Sequence, residues 1–393
     1  MAVDTLHVSD RASLWNDPRG RAIIYQVVVI GGVVLLFWYL ISNTMANLER
    51  QQIASGYGFL DREAGFEISE SLVSYSAAST YGRAFLVGIL NTFKVSILGI
   101  VFATILGTLI GIARLSSNWL VAKLAMTYVE TLRNIPLLLQ LFLWYGVITV
   151  SLPGPRDPIN PLPGVFLSNR GFIIPVPEAH LGYTMAAVAL LVAIVLTVVV
   201  NRWAKARQAV TGQPFPMLAA GAGIIVGLPL LAWLAGGAPV GFDVPELQGF
   251  RYVGGVPIRP EFAALLFGLT TYTASFIAEI VRSGIQAVSY GQTEAAAALG
   301  LRKGMILRLI VLPQAMRVII PPTTSQYLNL TKNSSLAVAI GYPDLVHVGN
   351  TTLNQTGQAI EAISIFMAVY LGISLGISFF MNWYNRHIAL VER

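Results

Sequence analysis

The chain consists of long apolar stretches separated by short polar segments. Because the hydrocarbon core of a bilayer is about 30 Å thick, an α-helix of about 20 apolar residues spans it. Eight stretches have this character: 22–41, 84–113, 121–150, 181–200, 217–238, 261–281, 309–341 and 359–383. Each must be helical, since backbone polar groups find no water in lipid. The pattern predicts an all-α integral membrane protein with about eight transmembrane helices.

The composition supports this prediction. Of the 393 residues, 55% are hydrophobic and 11% are charged, whereas about a quarter of an average soluble domain is charged. The formal net charge of +6 is spread over short segments, which argues against a nucleic-acid partner. The chain has no cysteine, and its four histidines lie far apart in sequence. These features exclude disulfides, thiolate metal sites and cysteine nucleophiles, and no metal ligands are predicted. No catalytic residue is proposed.

The positions of Lys and Arg predict the orientation. With a cytoplasmic N-terminus and eight spans, most basic residues between the spans fall on the cytoplasmic side, as the positive-inside rule requires. Both termini are then cytoplasmic, and three long segments face outside: 42–83, 151–180 and 239–260. Their sequences are typical of irregular, solvent-facing loops. The first span lacks a following cleavage site and is predicted to be a retained anchor.

The most informative cytoplasmic segment is 282–308. Thr293 is a candidate N-cap for a short helix over 294–299, and Gly300 suits the position that ends it. A second helix is predicted over 303–312, with Pro313 breaking or kinking it. Small residues at the tip of this loop permit close approach of a partner protein. The alternative is a short amphipathic helix on the membrane or on its own bundle, and these residues leave both open.

This loop resembles the EAA loop of bacterial ABC-importer permeases. The match comprises Glu294, Ala295 and Ala296, then Gly300 after three residues, and a run ending in Pro313. The resemblance implies a coupling helix, to which Leu299 also belongs, docking in a groove of a separate ATPase subunit. It therefore implies that this chain does not hydrolyse ATP. No G-x-x-x-x-G-K-[ST] phosphate loop is present in the sequence.

Three further motifs narrow the resemblance. The stretch 130–140 is similar to the E-x-x-R-[NG]-x-P-L-L-x-Q motif of polar amino-acid permeases of the histidine/glutamine type, and 272–282 and 332–336 also resemble that family. This implies a type I importer core of five helices. Three further spans are expected, two of them within an insertion at about 153–260, as in the longer permeases of general L-amino-acid importers. The predicted organisation is an N-terminal segment, anchor and periplasmic segment over 1–83, followed by a permease domain over 84–393.

Ionisable residues at membrane depth need a partner or a function, because their burial in lipid is costly. Glu130 and Arg133 lie on one helical face. They form either a structural ion pair or a site at which Arg133 meets a substrate carboxylate. Gln140 of the same motif is a candidate pathway residue. Glu279 is another candidate, although an ion pair with Arg282 is the simpler explanation.

The seventh span is the most polar. Asn329 and Lys332 share a face, and the preceding Pro321–Pro322 pair is predicted to open the helix. The candidate pathway residues that follow are Asn333, Ser334 and Ser335. A broken, polar helix suits a zwitterionic cargo, whereas the alternative is hydrogen bonding between subunits.

These observations predict the permease subunit of an ATP-driven importer of L-amino acids, polar or of broad range, in the bacterial inner membrane. The implied partners are an ABC ATPase dimer carrying ATP and Mg²⁺, a periplasmic amino-acid-binding protein, membrane lipid and a second permease subunit. A paralogue is favoured over a second copy, and no cofactor is expected on this chain. Two alternatives stay open: an ion-coupled transporter or channel using its own intramembrane charges, and a membrane scaffold without cargo.

Overall fold

The computed structural model describes residues 18–51, 55–248 and 251–388. The predicted cytoplasmic N-terminus before residue 18 and the last five residues lie outside this part of the chain. The described chain is mainly helical and divides into two compact units. The first contains the residues up to Asn91 together with Pro343–Ile373, and the second contains Thr92–Tyr342 and the residues from Ser374 onward.

The helices, numbered in chain order, are α1 (Pro18–Arg50), α2 (Tyr81–Ala113), α3 (Trp119–Asn134), α4 (Leu137–Gly146), α5 (Leu181–Thr211), α6 (Met217–Ala235), α7 (Pro260–Gln286), α8 (Tyr290–Ala298), α9 (Lys303–Ile306), α10 (Leu312–Asn333), α11 (Leu345–Thr356) and α12 (Ala359–Ile388). Seven helical segments in the described chain are long and apolar enough to cross a bilayer. Helix α3 and the segment Leu137–Ser151 form an eighth candidate, bent by 105°. The eight predicted spans are thus confirmed, but the stretch 121–150 is not one straight helix.

The first unit contains the segment that follows α1, which is predicted to face outside. Its 3₁₀ helix Tyr57–Asp61 places Phe59 in the core, where the Phe59 ring meets Tyr81 and Phe85 edge-on, with centroids 5.9 and 6.4 Å apart. Between residues 55 and 80 the segment is mainly irregular, as predicted, but it is not wholly solvent-facing, since Phe59 and Ala64 are buried. The reason is that its few aromatic residues supply enough apolar area to fold the segment onto its own unit.

The same unit contains a buried carboxylate at the start of α11. Asp344 is the N-cap of this helix, and one carboxylate oxygen accepts the backbone N–H of His347 at 2.8 Å. Burial raises the pKa of Asp344 to about 7, although the hydrogen bonds from the α11 backbone and from Tyr370 act to lower it. Burial also lowers the pKa of His347. The start of α11 therefore carries a carboxyl group that titrates near neutral pH.

The core of the second unit is built around α7. This helix is buried along most of its length and packs against α3, α4 and α10. Leu265, Leu269 and Ile277 of α7 are almost completely buried, together with Leu330 of α10. Because lipid is as apolar as a leucine side chain, helices in a membrane pack through small and weakly polar residues. Several threonine and serine side chains of α7 are buried, and they favour its central position in the unit.

The insertion consists of the α5–α6 hairpin with short strands before and after it. The strands are β1 (Ile159–Leu162), β2 (Val165–Ser168), β3 (Gly171–Ile174), β4 (Val176–Pro177), β5 (Phe242–Asp243), β6 (Glu246–Gln248), β7 (Arg251–Val253) and β8 (Val256–Ile258). Four of them form an antiparallel sheet in the order β1-β2-β3-β8, in which Ile174 is paired with Val256. The prediction of irregular loops at 151–180 and 239–260 was wrong, because the two segments pair with each other across the hairpin.

The entry into α10 also differs from the prediction. A π-helical stretch, Leu307–Val311, joins α9 to α10, and the N–H of Leu312 donates to the oxygen of Leu307 five residues back. Pro313 lies in the first turn of α10, where a missing N–H is tolerated, so the chain stays helical. Helix α10 is also continuous through Pro321–Pro322. The predicted break at Pro313 and opening at Pro321–Pro322 are therefore wrong, whereas a kink at Pro313 stays a prediction.

Candidate functional site

The loop between α7 and α10 forms a short helix that ends in a left-handed turn. Helix α8 begins after Ser289. The N-cap therefore lies four residues before Thr293, the N-cap predicted from the sequence. Gly300 has φ +77°, and its N–H donates to the oxygen of Ala297 at 2.9 Å. The N–H of Leu301 donates to the oxygen of Ala296 at 3.2 Å. These two bonds form a Schellman motif, which favours glycine at this position.

The residues of α8 differ strongly in solvent exposure. Ala296 is 4% exposed, because it faces the chain's own helices, whereas Leu299 is 81% exposed. Glu294 and Ala295 are exposed as well. An exposed leucine beside a stripe of alanines is typical of an interaction surface. Pro313 is half-buried and helps to hold the base of the loop.

Helix α7, which leads into this loop, packs closely against α2. A Cβ atom at Gly107 of α2 would lie 2.7 Å from Cβ of Ile277 in α7. A Cβ atom at Gly111 would lie 2.7 Å from the backbone oxygen of Ala278. Real Cβ atoms essentially never approach neighbours this closely. The Gly107-x-x-x-Gly111 spacing therefore marks a true helix–helix contact.

A cluster of three charges lies at the end of this contact, just before α8. Arg282 binds Glu279 with two bonds, at 2.5 Å between Nη2 and Oε1 and at 3.2 Å between Nε and Oε2. Arg114, which follows α2, donates from Nη1 to Oε2 of the same carboxylate. The Glu279–Arg282 ion pair expected from the sequence is thus present. Arg114 escaped sequence analysis, although its spacing from Gly107 and Gly111 places it on the same face of α2.

The bend between α3 and α4 is held by side chains of the motif at 130–140. Gln140 is 2% exposed, and its amide donates to the oxygens of Leu132 and Ile135, each at 2.9 Å. Asn134 donates to the oxygen of Glu130 at 2.6 Å. Carbonyl groups at the end of α3 have no helical partners beyond Pro136, so the glutamine satisfies them. The structure therefore places Gln140 as a cap across the bend.

Glu130 and Arg133 do not form the structural ion pair considered above. Within the described ranges no salt bridge joins them, and both side chains are exposed. The guanidinium carbon of Arg133 lies 5.0 Å from the centre of the Phe276 ring. A cation–π contact of this kind holds the charged group over α7 while leaving its edge free. Arg133 therefore remains available to a partner or a cargo.

The polar residues of α10 fall into two groups. Asn329 and Lys332 are exposed on one face of the helix. Ser334 is buried and donates to the oxygen of Thr331 at 2.7 Å, and Ser335 donates to the oxygen of Lys332 at 2.7 Å. Asn333 is half-buried. The structure thus brings Asn329 and Lys332 onto one accessible surface and engages the two serines in backbone hydrogen bonds.

Arg317 is a further charged residue of α10 that sequence analysis missed. Its Nε and Nη2 atoms are buried and have no hydrogen-bond partner among the residues that the structure describes. An ionisable residue within a membrane span is itself a signal of function.

Comparisons with known proteins identify the family of the chain. The sequence profile described as "binding-protein-dependent transport system inner membrane component" matches residues 99–390. The chain belongs to this family. The family resemblance drawn from the sequence motifs is confirmed, and the chain is a multi-pass membrane permease subunit.

Individual relatives match almost the whole permease. The general L-amino acid transport system permease protein of Rhizobium johnstonii is 53% identical over 398 residues, covering 100% of this chain and 99% of the relative. A putative amino-acid ABC transporter permease protein of Escherichia coli is 53% identical, covering 96% of each chain. A chain from the crystal structure of an amino acid ABC transporter with histidines aligns over 78% of this permease and 95% of its own length, with 20% identity and a TM-score of 0.46.

Proposed function

We propose that this permease is the membrane subunit of an ATP-driven importer of L-amino acids, polar or of broad range. The printed names of relatives that match it nearly end to end support this cargo class. A glutamate/glutamine/aspartate/asparagine transport system permease protein of Rhodobacter capsulatus, 43% identical over 415 residues, supports it as well. The observation that carries the coupling half of the proposal is the exposed α8 with Leu299 at its tip.

We assign α8 as the helix that docks on a separate ATPase dimer. This dimer binds ATP and Mg²⁺. Leu299 offers an apolar side chain, Ala295 lets the partner approach closely, and Gly300 fixes the turn that presents them. Because Arg114, Glu279 and Arg282 lock the ends of α2 and α7 just before α8, a pull on the loop moves both helices together. ATP hydrolysis is thus assigned to the partner, and this chain supplies the pathway.

The cargo pathway is assigned to the accessible polar and charged side chains. Lys332 and Asn329 lie on one exposed face of α10, and a cation with a neighbouring amide suits the carboxylate of an amino acid. Arg133 offers a second cation on α3, next to Glu130. Four other candidates already form hydrogen bonds or ion pairs within the chain, and we assign them structural roles instead: Gln140, Glu279, Ser334 and Ser335.

The other partners of the permease are proposed on the same basis. A periplasmic amino-acid-binding protein docks on the outside segments, and a second permease subunit, with a paralogue favoured over a second copy, completes the pathway. The excess of Lys and Arg on the α8 side supports an inner-membrane protein with both termini in the cytoplasm.

The coupling assignment is tested by Leu299→Gln. Leu299 and Val210 are both strongly exposed, 81% and 87% respectively, so neither substitution removes core packing. We expect Leu299→Gln to lower ATP-driven uptake in proteoliposomes and copurification of the ATPase at least tenfold, with Val210→Gln as the unaffected control. Normal uptake and ATPase association in Leu299→Gln would refute the docking role of α8.

The pathway assignment is tested by Lys332→Ala and Arg133→Ala. We expect both variants to assemble with their partners and to lose uptake, whereas Lys123→Ala, an exposed cation of α3, retains both. Loss of assembly would instead support a structural role for the two residues. Uptake that persists without ATP would favour an ion-coupled transporter, and the absence of any cargo flux would favour a scaffold.

A further inference from the structure

The α5–α6 hairpin has two arms of unequal length. Helix α5 has 31 residues and α6 has 19, which correspond to about 46 and 28 Å at 1.5 Å per residue. Since the hydrocarbon core is about 30 Å thick, α6 just spans it, whereas α5 extends beyond it. The apolar run of α5 ends at Val200, and the extension begins at Asn201. By alternation of spans, the extension lies on the same side of the membrane as α8.

This extension carries three cations without a counter-charge. Arg202, Lys205 and Arg207 are all exposed. No Asp or Glu occurs between Glu178 and Asp243, and none of the three cations joins a salt bridge in the part of the chain that the structure describes. Any anion that pairs with these cations therefore comes from outside the hairpin.

Aromatic rings lie at the same level as the cations. Trp203 is 53% exposed, with the guanidinium carbon of Arg207 lying 5.7 Å from its ring centre. Phe215, in the turn before α6, meets the Trp203 ring edge-on, with centroids 5.5 Å apart. Tryptophan rings of this kind are enriched at the headgroup level of membranes. The lipid-exposed side chains of Val195, Val198 and Val199 precede them by one to two turns.

The arrangement of the cations around α5 favours lipid over a protein partner. At 100° per residue, Lys205 lies about 60° from Arg202 on one side, and Arg207 lies about 140° from it on the other. The three charges thus cover more than half of the circumference. A docked protein contacts one face of a helix, whereas headgroups of a bilayer surround it. The buried Ala204 marks the remaining side.

We propose that the cytoplasmic end of α5 binds the phosphate headgroups of anionic phospholipids, with Arg202, Lys205 and Arg207 as the ligands and Trp203 as the interfacial anchor. Lysine and arginine near an anionic leaflet are attracted within a Debye length of its surface. The insertion is then a lipid-responsive arm attached to the permease core. This inference concerns lipid and does not depend on the identity of the cargo.

The test uses the full complex in proteoliposomes. Because the chain has no cysteine, Gln213→Cys, at an exposed position in the turn, carries a single fluorescent label. Quenching is measured with spin-labelled phosphatidylglycerol and with spin-labelled phosphatidylcholine. We expect phosphatidylglycerol to quench at a several-fold lower mole fraction, and added salt to reduce this preference.

The variant Arg202→Gln/Lys205→Gln/Arg207→Gln should abolish the preference, whereas Lys123→Gln should retain it. Labelling of the introduced thiol with an impermeant reagent from the α8 side verifies that the orientation is unchanged. Equal quenching by both lipids in the complex that carries only Gln213→Cys would overturn the proposal, and so would a preference that survives the triple substitution. If the complex that carries only Gln213→Cys shows no lipid preference and the triple variant loses ATPase copurification, the cations bind protein instead.

Discussion

The close contact between α2 and α7 predicts that one added methyl group will destabilise the protein. In Gly111→Ala the new Cβ would lie 2.7 Å from the backbone oxygen of Ala278 and 2.8 Å from Cβ of Val281. Neither atom is the flexible end of a side chain, so the helices must separate. Overpacking of this kind costs about 1–3 kcal/mol. The same substitution in an open helix position gains up to about 1 kcal/mol of helix propensity.

Gly223 of α6 is the matched control, because a Cβ atom there would meet nothing within 4 Å. We expect Gly111→Ala to lower the apparent Tm of the purified complex and to reduce ATP-driven uptake, since the displaced α2 draws Arg114 away from Glu279. Gly223→Ala should match or exceed the unmodified Tm at an identical scan rate. If Gly111→Ala were as stable and as active as Gly223→Ala, the close contact and its role in coupling would both be refuted.

Three further predictions follow from the described hydrogen bonds and charges. Glu279→Gln should destabilise the complex by about 1.5–3 kcal/mol, because two arginines lose their charged acceptor, and an unchanged Tm would contradict this. Gln140→Leu should cost about 1–3 kcal/mol, because it leaves the carbonyls at the bend unsatisfied; loss of uptake at an unchanged Tm would instead mark Gln140 as a pathway residue. Asp344, whose pKa is raised to about 7, keeps its proton in the native state up to about pH 7. The unfolded chain releases this proton from about pH 4 upward. Stability should therefore fall as pH rises through this window, and Asp344→Asn should flatten the dependence of Tm on pH.

The spans and the α8 loop could be predicted because their signals are local. An apolar run of twenty residues is helical wherever it meets lipid, and Gly300 ends a helix through its own backbone conformation. The start of α8 was misplaced by four residues, since Ser289 and Thr293 are both good N-caps in sequence. The coupling and pathway roles of these residues stay predictions.

The remaining features depend on partners that are distant in sequence. Arg114 meets Glu279 across 165 residues, and nothing near Arg114 in the sequence indicates this pairing. The strands β3 and β8 are too short for a clear alternation and pair only after the hairpin has folded back. The sequence predicts Gln140 as a pathway candidate because its polarity is visible there, whereas the carbonyls that it caps appear only when the helix bends.

The pairing of β3 with β8 has an architectural consequence for the permease. Ile174 and Val256 are opposite each other in an antiparallel ladder, so their Cα atoms lie about 5 Å apart. A two-residue hairpin turn bridges neighbouring strands at this distance. Replacing residues 175–255 by a two-residue turn would thus preserve the β3–β8 pairing. It would remove the ring contact between Tyr252 and Phe166, whose centroids lie 4.8 Å apart, and the hydrogen bond from the Tyr252 hydroxyl to the oxygen of Pro155. The α5–α6 hairpin is therefore an insertion that begins and ends at neighbouring strand ends.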